Sequence, residues 1–225
     1  MGTAERIVSG LRAYFRRAGR GKAVIGVSGG IDSGLACFLT AKALGANNVT
    51  AYYLPYFESG DEKYARMAAK WAGVRLRKVG IRKAVDEICG SAGISDRVGK
   101  GNVMARVRMA LLYAFARKNK ALVVGAGNKS ELLTGYFTKY GDGGCDVLPL
   151  GGPYKTGVMA LAKRLGAPAA ILKKKPSAGL WKGQTDEGEL GMDYAELDRK
   201  LREGKLAKRV RATEHKRKPP VVIKC

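Results

Sequence analysis

Acidic residues and histidine are scarce in this chain of 225 residues. Asp and Glu number 19 against 42 Lys and Arg, which gives a formal net charge of +23, and His215 is the only histidine. So large an imbalance excludes balanced ion-pair networks as the full explanation of the basic residues. It favours polyanionic partners, such as nucleic acid, acidic lipid or nucleotides that carry several phosphates.

Closely spaced cysteines are also missing. Cys37, Cys89, Cys145 and Cys225 are far apart and form no CxxC pair, and a single histidine cannot complete the usual ligand patterns. This argues against a zinc site of ordinary spacing. We expect a reduced protein without disulfides, located in the cytoplasm.

No apolar run is long enough to span a membrane, and the first 22 residues are too charged for a secretory signal. The residues after Gly2 do not follow a myristoylation pattern, so no lipid anchor and no membrane partner are expected. The length suits one domain, residues 1–225, and we find no internal repeat or boundary that would divide it.

Apolar periodicity predicts strands that alternate with helices, which is typical of an α/β fold. The predicted strands cover residues 22–28, 48–55, 74–79 and 121–126, and the first helices cover residues 3–18, 32–44, 60–73, 81–89 and 103–118. Right-handed crossovers of this kind build a doubly wound parallel sheet with helices on both faces. Beyond Gly127 we predict a short helix, a glycine-rich loop, a helix near residues 154–166, a loop over residues 174–190 and a basic tail.

The stretch SGGIDS, residues 28–33, follows the first strand and opens the second helix. Glycines in such a turn let backbone N–H groups approach an anion, and the helix N-terminus favours negative charge. No Walker A lysine and no GxGxxG pattern is present. Asp32 would repel a bare phosphate but could hold Mg²⁺, so we predict a metal-bearing pyrophosphate cradle. The alternative is a tight turn in which Asp32 and Ser33 merely start the helix.

This turn resembles the pyrophosphate loop of the N-type ATP pyrophosphatases, which share a Rossmann-like adenine nucleotide alpha-hydrolase fold. Further stretches along the chain resemble the ammonia-dependent NAD synthetases within that superfamily. They are GNVMARVRMALLY, GNKSELLTGYFTKYGDGGCDVLPL, KTGVMALAKRLG, PSAGLWKGQTDEGELG and HKRKPP. The resemblance covers essentially the whole chain, and GYFTKYGDGG and PSAGLWKGQTDE are its most specific motifs.

The resemblance implies a ligase that adenylates the nicotinate carboxylate of deamido-NAD with ATP and then lets ammonia displace AMP. Mg²⁺ is the implied cofactor, ATP, deamido-NAD and ammonia are the implied substrates, and a homodimer is the implied assembly. Glutamine-dependent relatives carry an added glutaminase domain, for which this length leaves no room.

The same resemblance implies roles for individual residues. Catalysis is assigned to Asp32, Glu131 and Lys155, and the metal to Asp32 and Glu131. ATP is assigned to Gly26, Val27, Ser28, Gly29, Gly30, Ile31, Asp32, Ser33, Lys155 and Ser177. Deamido-NAD is assigned to Asn102, Arg106, Lys139, Asp142, Asp146, His215 and Lys216. Arg108 could serve either nucleotide. The family commonly has Thr where this chain has Ala126, which cannot donate a hydroxyl hydrogen bond to ATP.

Plainer interpretations remain open for several of these residues. Glu131 could only complete a helix cap with Asn128, and Arg106 and Arg108 could lie on a solvated helix face. His215 could be an ordinary surface residue. Trp181 could be a buried anchor, or part of a lid that is open without ligands and closes over the adenylation site.

Two other functions are compatible with parts of the sequence. A tRNA-modifying pyrophosphatase would explain the positive charge, but paired catalytic cysteines and an appended RNA-binding module are absent, so we do not expect a nucleic acid partner. A regulatory nucleotide-binding module without catalysis would keep the glycine turn and would not need Asp32, Glu131 and Lys155 together.

Overall fold

The computed structural model describes residues 2–58, 60–181 and 183–223. Within them four parallel strands form one sheet in the order β3-β2-β1-β4. The strands are β1 (Lys22–Gly26), β2 (Val49–Tyr53), β3 (Arg75–Lys78) and β4 (Ala121–Val124). The predicted parallel α/β sheet with helices on both faces is confirmed.

Helices precede, connect and follow the strands. They are α1 (Thr3–Arg17), α2 (Ile31–Leu44), α3 (Asp61–Ala72), α4 (Arg82–Ser91), α5 (Arg97–Asn119), α6 (Lys129–Thr134), α7 (Lys155–Arg164), α8 (Ala169–Leu172), α9 (Asp186–Leu190), α10 (Tyr194–Arg202) and α11 (Ala207–Ala212). Two short 3₁₀ turns, Ala46–Asn48 and Glu214–Lys216, complete the regular structure of the described residues.

Each face of the sheet has its own core. On one face Phe15 of α1, Leu35 and Leu39 of α2 and Val158 of α7 are buried together with residues of α3 and α8. On the other face α4 and α5 cover β1, β2 and β4, with Val85 among the fully buried side chains. Burial of both faces explains why the strands are near-continuous apolar runs rather than alternating ones.

The main differences from the predicted elements lie at helix starts and in the C-terminal third. Helix α5 begins at Arg97, six residues before the predicted start, because the Asp96 side chain accepts hydrogen bonds from the N–H groups of Val98 and Gly99. Helices α8 to α11 were not predicted. These helices are short, and each buries at most two apolar residues, which is too few for a recognisable period. Leu190, Tyr194 and Leu197, for example, form a small core only where α9 and α10 pack together.

The strand order defines where a ligand can bind. From β1 the chain moves to β2 and β3 on one side and then returns to place β4 on the other side of β1. In such sheets the crevice lies at the carboxyl ends of the strands where the order reverses. The segments that follow β1 and β4 both start there, and they contain Asp32 and Glu131. None of the helices in residues 2–58, 60–181 and 183–223 could cross a membrane.

Candidate active site

The glycine turn after β1 is held open by its backbone conformation. Gly29 has φ +84°, and a Cβ at this position would lie 2.8 Å from the Asp61 carbonyl oxygen and 2.8 Å from Tyr64 Cβ. Only glycine therefore fits between the turn and α3. The Ser33 hydroxyl accepts from the N–H of Ser28 at 3.2 Å and donates to the Gly30 carbonyl at 3.0 Å. The turn thus has a fixed shape at the start of α2.

Asp32, in the first turn of α2, is the point where three parts of the chain meet. Its carboxylate accepts a hydrogen bond from Asn128 Nδ2 at 3.0 Å and forms an ion pair with the Lys155 ammonium. Lys155 is only 3% exposed and lies 5.0 Å from the centre of the Tyr194 ring. Asp32 and Lys155, predicted to act together on the phosphates of ATP, are therefore in direct contact.

Glu131 lies beside this pair and also caps α6. Its carboxylate accepts from the Asn128 N–H at 3.0 Å, while Asn128 Oδ1 accepts from the Glu131 N–H at 3.1 Å. The capping interpretation of Glu131 is therefore confirmed, and its carboxylate also lies near Asp32 and Lys155. Its role as a metal ligand stays a prediction. Burial, together with the negative charge of Asp32, raises the pKa of Glu131 to about 8.

The charge of Lys155 is stabilised by its surroundings. Burial by itself would lower the pKa of its ammonium, but the carboxylates of Asp32 and Glu131 outweigh burial, and the pKa is raised. Lys155 is therefore a permanent cation at the carboxyl end of the sheet. A fixed positive charge there can counter the charge of phosphate oxygens without first being desolvated.

Two carboxylates that repel one another fit a divalent cation. Asp32 raises the pKa of Glu131, and a cation between them would relieve that repulsion. In the described part of the chain no group of three or more His, Cys, Asp or Glu side chains could hold a metal. Mg²⁺ is commonly bound by one or two carboxylates, with substrate phosphates and water as the other ligands. The donor set at Asp32 and Glu131 fits that pattern.

A third carboxylate, Asp186 of α9, borders the site and was not predicted. It is 4% exposed and accepts hydrogen bonds from the Tyr194 hydroxyl at 2.8 Å and the Tyr136 hydroxyl at 3.1 Å. Burial raises the pKa of Asp186, and the Tyr194 hydrogen bond partly opposes this. The sequence offered one signal for it, the TDE start of a short helix capped by Thr185.

The loop before α9 is packed against the protein in this structure. The Gln184 side chain accepts from the Leu180 N–H at 2.8 Å and donates to Glu189 at 2.7 Å. Leu180 contacts Gly101, where an added Cβ would lie 3.1 Å from Leu180 Cδ1. Trp181 lies under the Arg97 guanidinium. Side-chain contacts to α5 therefore hold the described residues of this loop, and Trp181 is half-buried. The expectation of a lid that opens without ligands stays a prediction, and Lys182 lies outside the described residues.

A second polar group lies near the start of the loop that follows α6. Asp142 accepts from the Thr138 N–H at 2.8 Å, and Lys216 donates to the carbonyl of Gly135. Burial raises the pKa of Asp142 and lowers the pKa of Lys216, and each charge partly offsets the shift of the other. Burial likewise lowers the pKa of Arg108, against the charge of Asp142.

Residues of α5 extend this second group. The Asn102 side chain accepts from the Thr138 hydroxyl at 2.8 Å, and Arg106 donates to the Lys139 carbonyl at 3.3 Å. The structure therefore brings together most of the residues predicted to contact deamido-NAD. They are Asn102, Arg106, Lys139, Asp142 and Lys216, with Arg108 beside them.

Three predicted site residues stand apart from these contacts. Asp146 accepts from the Val123 N–H at 2.7 Å and the Tyr113 hydroxyl at 3.0 Å, so it ties β4 to α5. Ser177 is exposed and accepts from the Gly179 N–H, and His215 is exposed in the 3₁₀ turn Glu214–Lys216. Their assigned ligand contacts stay predictions.

A parallel sheet with a glycine turn after β1 and a buried carboxylate–lysine cluster beside that turn is typical of α/β nucleotide-binding proteins. The turn of residues 28–33 is called the phosphate turn, after its predicted role. Comparison with known proteins gives the family. Residues 3–220 match the family model described as NAD synthase. The chain belongs to the NAD synthase family.

Curated relatives are similar over nearly the whole chain. The NH(3)-dependent NAD(+) synthetase of Methanosarcina acetivorans is 43% identical over 246 aligned positions, which cover 96% of this chain and 95% of the relative. The NH(3)-dependent NAD(+) synthetase of Pyrococcus furiosus is 46% identical over 198 positions, which cover 88% of this chain and 77% of the relative.

Solved structures agree. The NMN synthetase of Francisella tularensis superposes with a TM-score of 0.90 at 36% identity and covers 98% of this chain and 97% of its own. The NH3-dependent NAD synthetase of Campylobacter jejuni does so with a TM-score of 0.82 at 30% identity, covering 99% and 97%. The fold predicted from the sequence is therefore confirmed.

Proposed function

We propose that this protein is an ammonia-dependent NAD synthetase, which amidates deamido-NAD to NAD and converts ATP to AMP and pyrophosphate. The observation that supports this most strongly is the meeting of Asp32, Glu131 and Lys155 beside the phosphate turn, in a chain of the NAD synthase family. A module that only binds a nucleotide would not need all three. The protein is a C–N bond-forming ligase.

The reaction needs activation because a carboxylate is a poor acyl donor: its carbonyl carbon resists attack by ammonia, and it has no good leaving group. Attack of the nicotinate carboxylate on the α-phosphorus of ATP forms an acyl-adenylate and releases pyrophosphate, and ammonia then displaces AMP. Bound Mg²⁺ would neutralise negative charge on the transferring phosphate. In this proposal Asp32 and Glu131 hold the metal, and Lys155 and the N–H groups of the turn bind phosphate oxygens.

The ATP site in this proposal consists of the turn and its neighbours. Gly26, Val27, Ser28, Gly29, Gly30, Ile31, Asp32 and Ser33 surround the phosphates, with Lys155 opposite and Ser177 on the loop. The contact that a Thr would make at Ala126 is missing in this chain. We expect somewhat weaker ATP binding than in relatives that have the Thr.

Deamido-NAD is proposed to bind along α5 and the loop after α6. Arg106, Lys139 and Lys216 offer cations to its pyrophosphate, and Asn102 and Asp142 offer hydrogen-bonding groups. Asp146 and His215 remain proposed contacts. We also propose that the chain is one domain, acts in the cytoplasm as a homodimer, and takes free ammonia as its nitrogen donor.

The test is an assay of the purified protein with ATP, Mg²⁺, deamido-NAD and ammonium, scored for NAD, AMP and pyrophosphate. NAD and AMP in equal amounts are expected. Pyrophosphate release that requires tRNA instead would support the tRNA-modifying alternative. No product with any of these substrates would contradict the assignment.

A second substrate is tested in parallel because of the similarity to an NMN synthetase. Replacing deamido-NAD with the deamidated form of NMN keeps the nicotinate carboxylate and removes the adenylate half. A larger kcat/KM for the dinucleotide is expected. A larger value for the mononucleotide would make NMN the product.

A further inference from the structure

Asp198 of α10 is a fully buried carboxylate that none of the sequence motifs pointed to. It is 0% exposed, and its carboxylate accepts three hydrogen bonds. Ser130 donates its hydroxyl to one oxygen, and Thr156 donates both its backbone N–H, at 2.9 Å, and its hydroxyl, at 2.7 Å, to the other. A buried carboxylate with this many donors is held in one geometry.

The two partners of Asp198 are adjacent in the sequence to Glu131 and Lys155, the residues whose side chains lie near Asp32. Ser130 precedes Glu131 in the first turn of α6, and Thr156 follows Lys155 at the start of α7. The two helix starts are also joined directly, because the Lys155 N–H donates to the Ser130 hydroxyl oxygen at 2.9 Å. One carboxylate therefore clamps both helix starts.

Helix α7 depends on this clamp for its N-terminal cap. Its own N-cap residue, Tyr154, makes no side-chain hydrogen bond to the helix start. Asp198 supplies the acceptor from a different helix, and a negative charge at a helix N-terminus is favourable. The start of α7, where Lys155 lies, is thus capped by Asp198, which is 43 positions beyond Lys155 in the sequence.

We propose that Asp198 is a positioning residue that fixes Lys155 relative to Glu131 and Asp32, and so sets the geometry in which the phosphates of ATP are held. It touches neither substrate in this proposal, which rests on the proposed function. Its effect passes through two donors, Ser130 and Thr156. The loss of Asp198 should therefore affect ATP and leave deamido-NAD binding nearly unchanged, because the residues assigned to deamido-NAD lie on α5, in the loop after α6 and in the turn Glu214–Lys216, and none of them contacts Asp198 among its described hydrogen bonds.

The test uses Asp198→Asn, which keeps the size of the side chain and removes its charge and one acceptor oxygen. Because an amide nitrogen cannot accept a hydrogen bond, either the Ser130 hydroxyl or the two Thr156 donors lose their acceptor. We expect kcat to fall by about 10- to 100-fold, because small displacements of catalytic groups have effects of that size. We expect the KM for ATP to rise severalfold, and the KM for deamido-NAD to stay within about twofold of the wild type.

The matched control is Asp193→Asn on the same helix. Asp193 caps α10 by accepting from the Glu196 N–H at 2.8 Å, and its described contacts do not include α6 or α7. Because Asn caps a helix about as well as Asp, this variant should keep both the melting temperature and the kcat close to those of the wild type. Thr156→Val and Thr156→Ser form a second pair, because valine deletes one hydroxyl donor while serine restores it. We expect the valine variant to lose turnover and the serine variant to keep most of it.

The outcomes separate the possible roles. Asp198→Asn with the kcat of Asp193→Asn at equal folded fraction would overturn the proposal, as would equal rises in KM for both substrates. If Asp198→Asn does not fold, the Thr156 pair decides, and equal kcat for valine and serine would overturn it. If the wild type makes no NAD, the proposed function fails, and equilibrium binding of ATP with Mg²⁺ still tests whether Asp198→Asn weakens the phosphate site.

Discussion

Asp32 on α2 and Lys155 on α7 form an ion pair although they lie 123 positions apart in the chain. The pair joins the phosphate turn to the second half of the protein, and Asn128 and Glu131 close the group from the side of β4. In this arrangement the Lys155 ammonium balances the charge of Asp32. In the proposed function Asp32 would hold Mg²⁺ and Lys155 would bind phosphate oxygens.

Neutralising either proposed metal ligand should stop turnover without unfolding the protein. Asp32→Asn and Glu131→Gln keep the size of each side chain and remove the charge that Mg²⁺ needs. We expect kcat to fall by about 10³-fold or more, because stabilisation of charge on transferring phosphates is a transition-state effect. Initial rates at saturating Mg²⁺ measure this, with Glu187→Gln, an exposed glutamate of α9, as the control. Near-normal NAD formation by either variant would remove that residue from the metal site.

The raised pKa of Glu131 predicts that the metal-free protein is less stable at higher pH. The pKa is about 8 in the folded protein, well above the value of about 4.3 expected for an unfolded chain. The folded state therefore binds a proton more tightly, and the free energy of unfolding should fall as pH rises from about 5 to about 8. Burial raises the pKa of Asp186 and adds to the same trend. Lys155, whose pKa is also raised, stays charged throughout this range.

Urea unfolding at pH 6, 7 and 8 with EDTA tests this trend. Glu131→Gln should flatten it, since the variant has no proton to lose there, and Glu187→Gln should not. Added Mg²⁺ should stabilise the wild type most at pH 8 and affect Glu131→Gln little. Parallel curves for the wild type and Glu131→Gln would show that another group causes the pH dependence.

The phosphate turn could be predicted from the sequence because all of its signals are local. Gly29, Asp32 and Ser33 follow an apolar strand and open a helix, and the structure places them as that order requires. The capping box between Asn128 and Glu131 spans only three residues and is equally readable. The local pattern therefore predicted Asp32 as a metal ligand and Glu131 as a helix cap, while the metal role of Glu131 came only from the family resemblance.

The contacts between these segments could not be predicted, because they depend on how distant helices pack. The hydrogen bond from Asn128 to Asp32 spans 96 residues, and the one from Ser130 to Asp198 spans 68. The loop near Leu180 lacks apolar periodicity, yet it packs on Gly101 of α5. Helix α10 has only nine residues, too few for a reliable pattern, and so Asp198 had no signal of its own.

The nitrogen donor gives a further prediction. With glutamine as the only nitrogen source, freed of ammonium, the purified chain should form almost no NAD, while ammonium should support synthesis. The rate at fixed total ammonium should rise with pH through the range in which ammonium loses its proton, because neutral ammonia is the nucleophile. NAD formation over a pH series with saturating ATP and deamido-NAD measures this. Efficient use of glutamine by a homogeneous preparation would contradict the ammonia-dependent assignment.

The closed loop over α5 should protect the acyl-adenylate from water. Gln184 holds the loop from both ends, since it accepts from the Leu180 N–H and donates to Glu189. Gln184→Ala removes both hydrogen bonds, and we expect it to admit water, so that part of the adenylate hydrolyses instead of reacting with ammonia. The ratio of AMP released to NAD formed should rise from near one to clearly above it, most at low ammonium.

Two measurements on Gln184→Ala decide whether the loop has this role. Limited proteolysis should cut the segment 174–190 faster in the variant than in the wild type, and ATP with deamido-NAD should slow the cut in the wild type. Glu187→Gln, which changes an exposed carboxylate of the neighbouring helix, should leave both the cleavage rate and the AMP to NAD ratio unchanged. Faster cleavage shows that the loop has opened. If the ratio of AMP to NAD nevertheless stays near one in Gln184→Ala, the adenylate is no more exposed to water than in the wild type, and loop closure does not protect it.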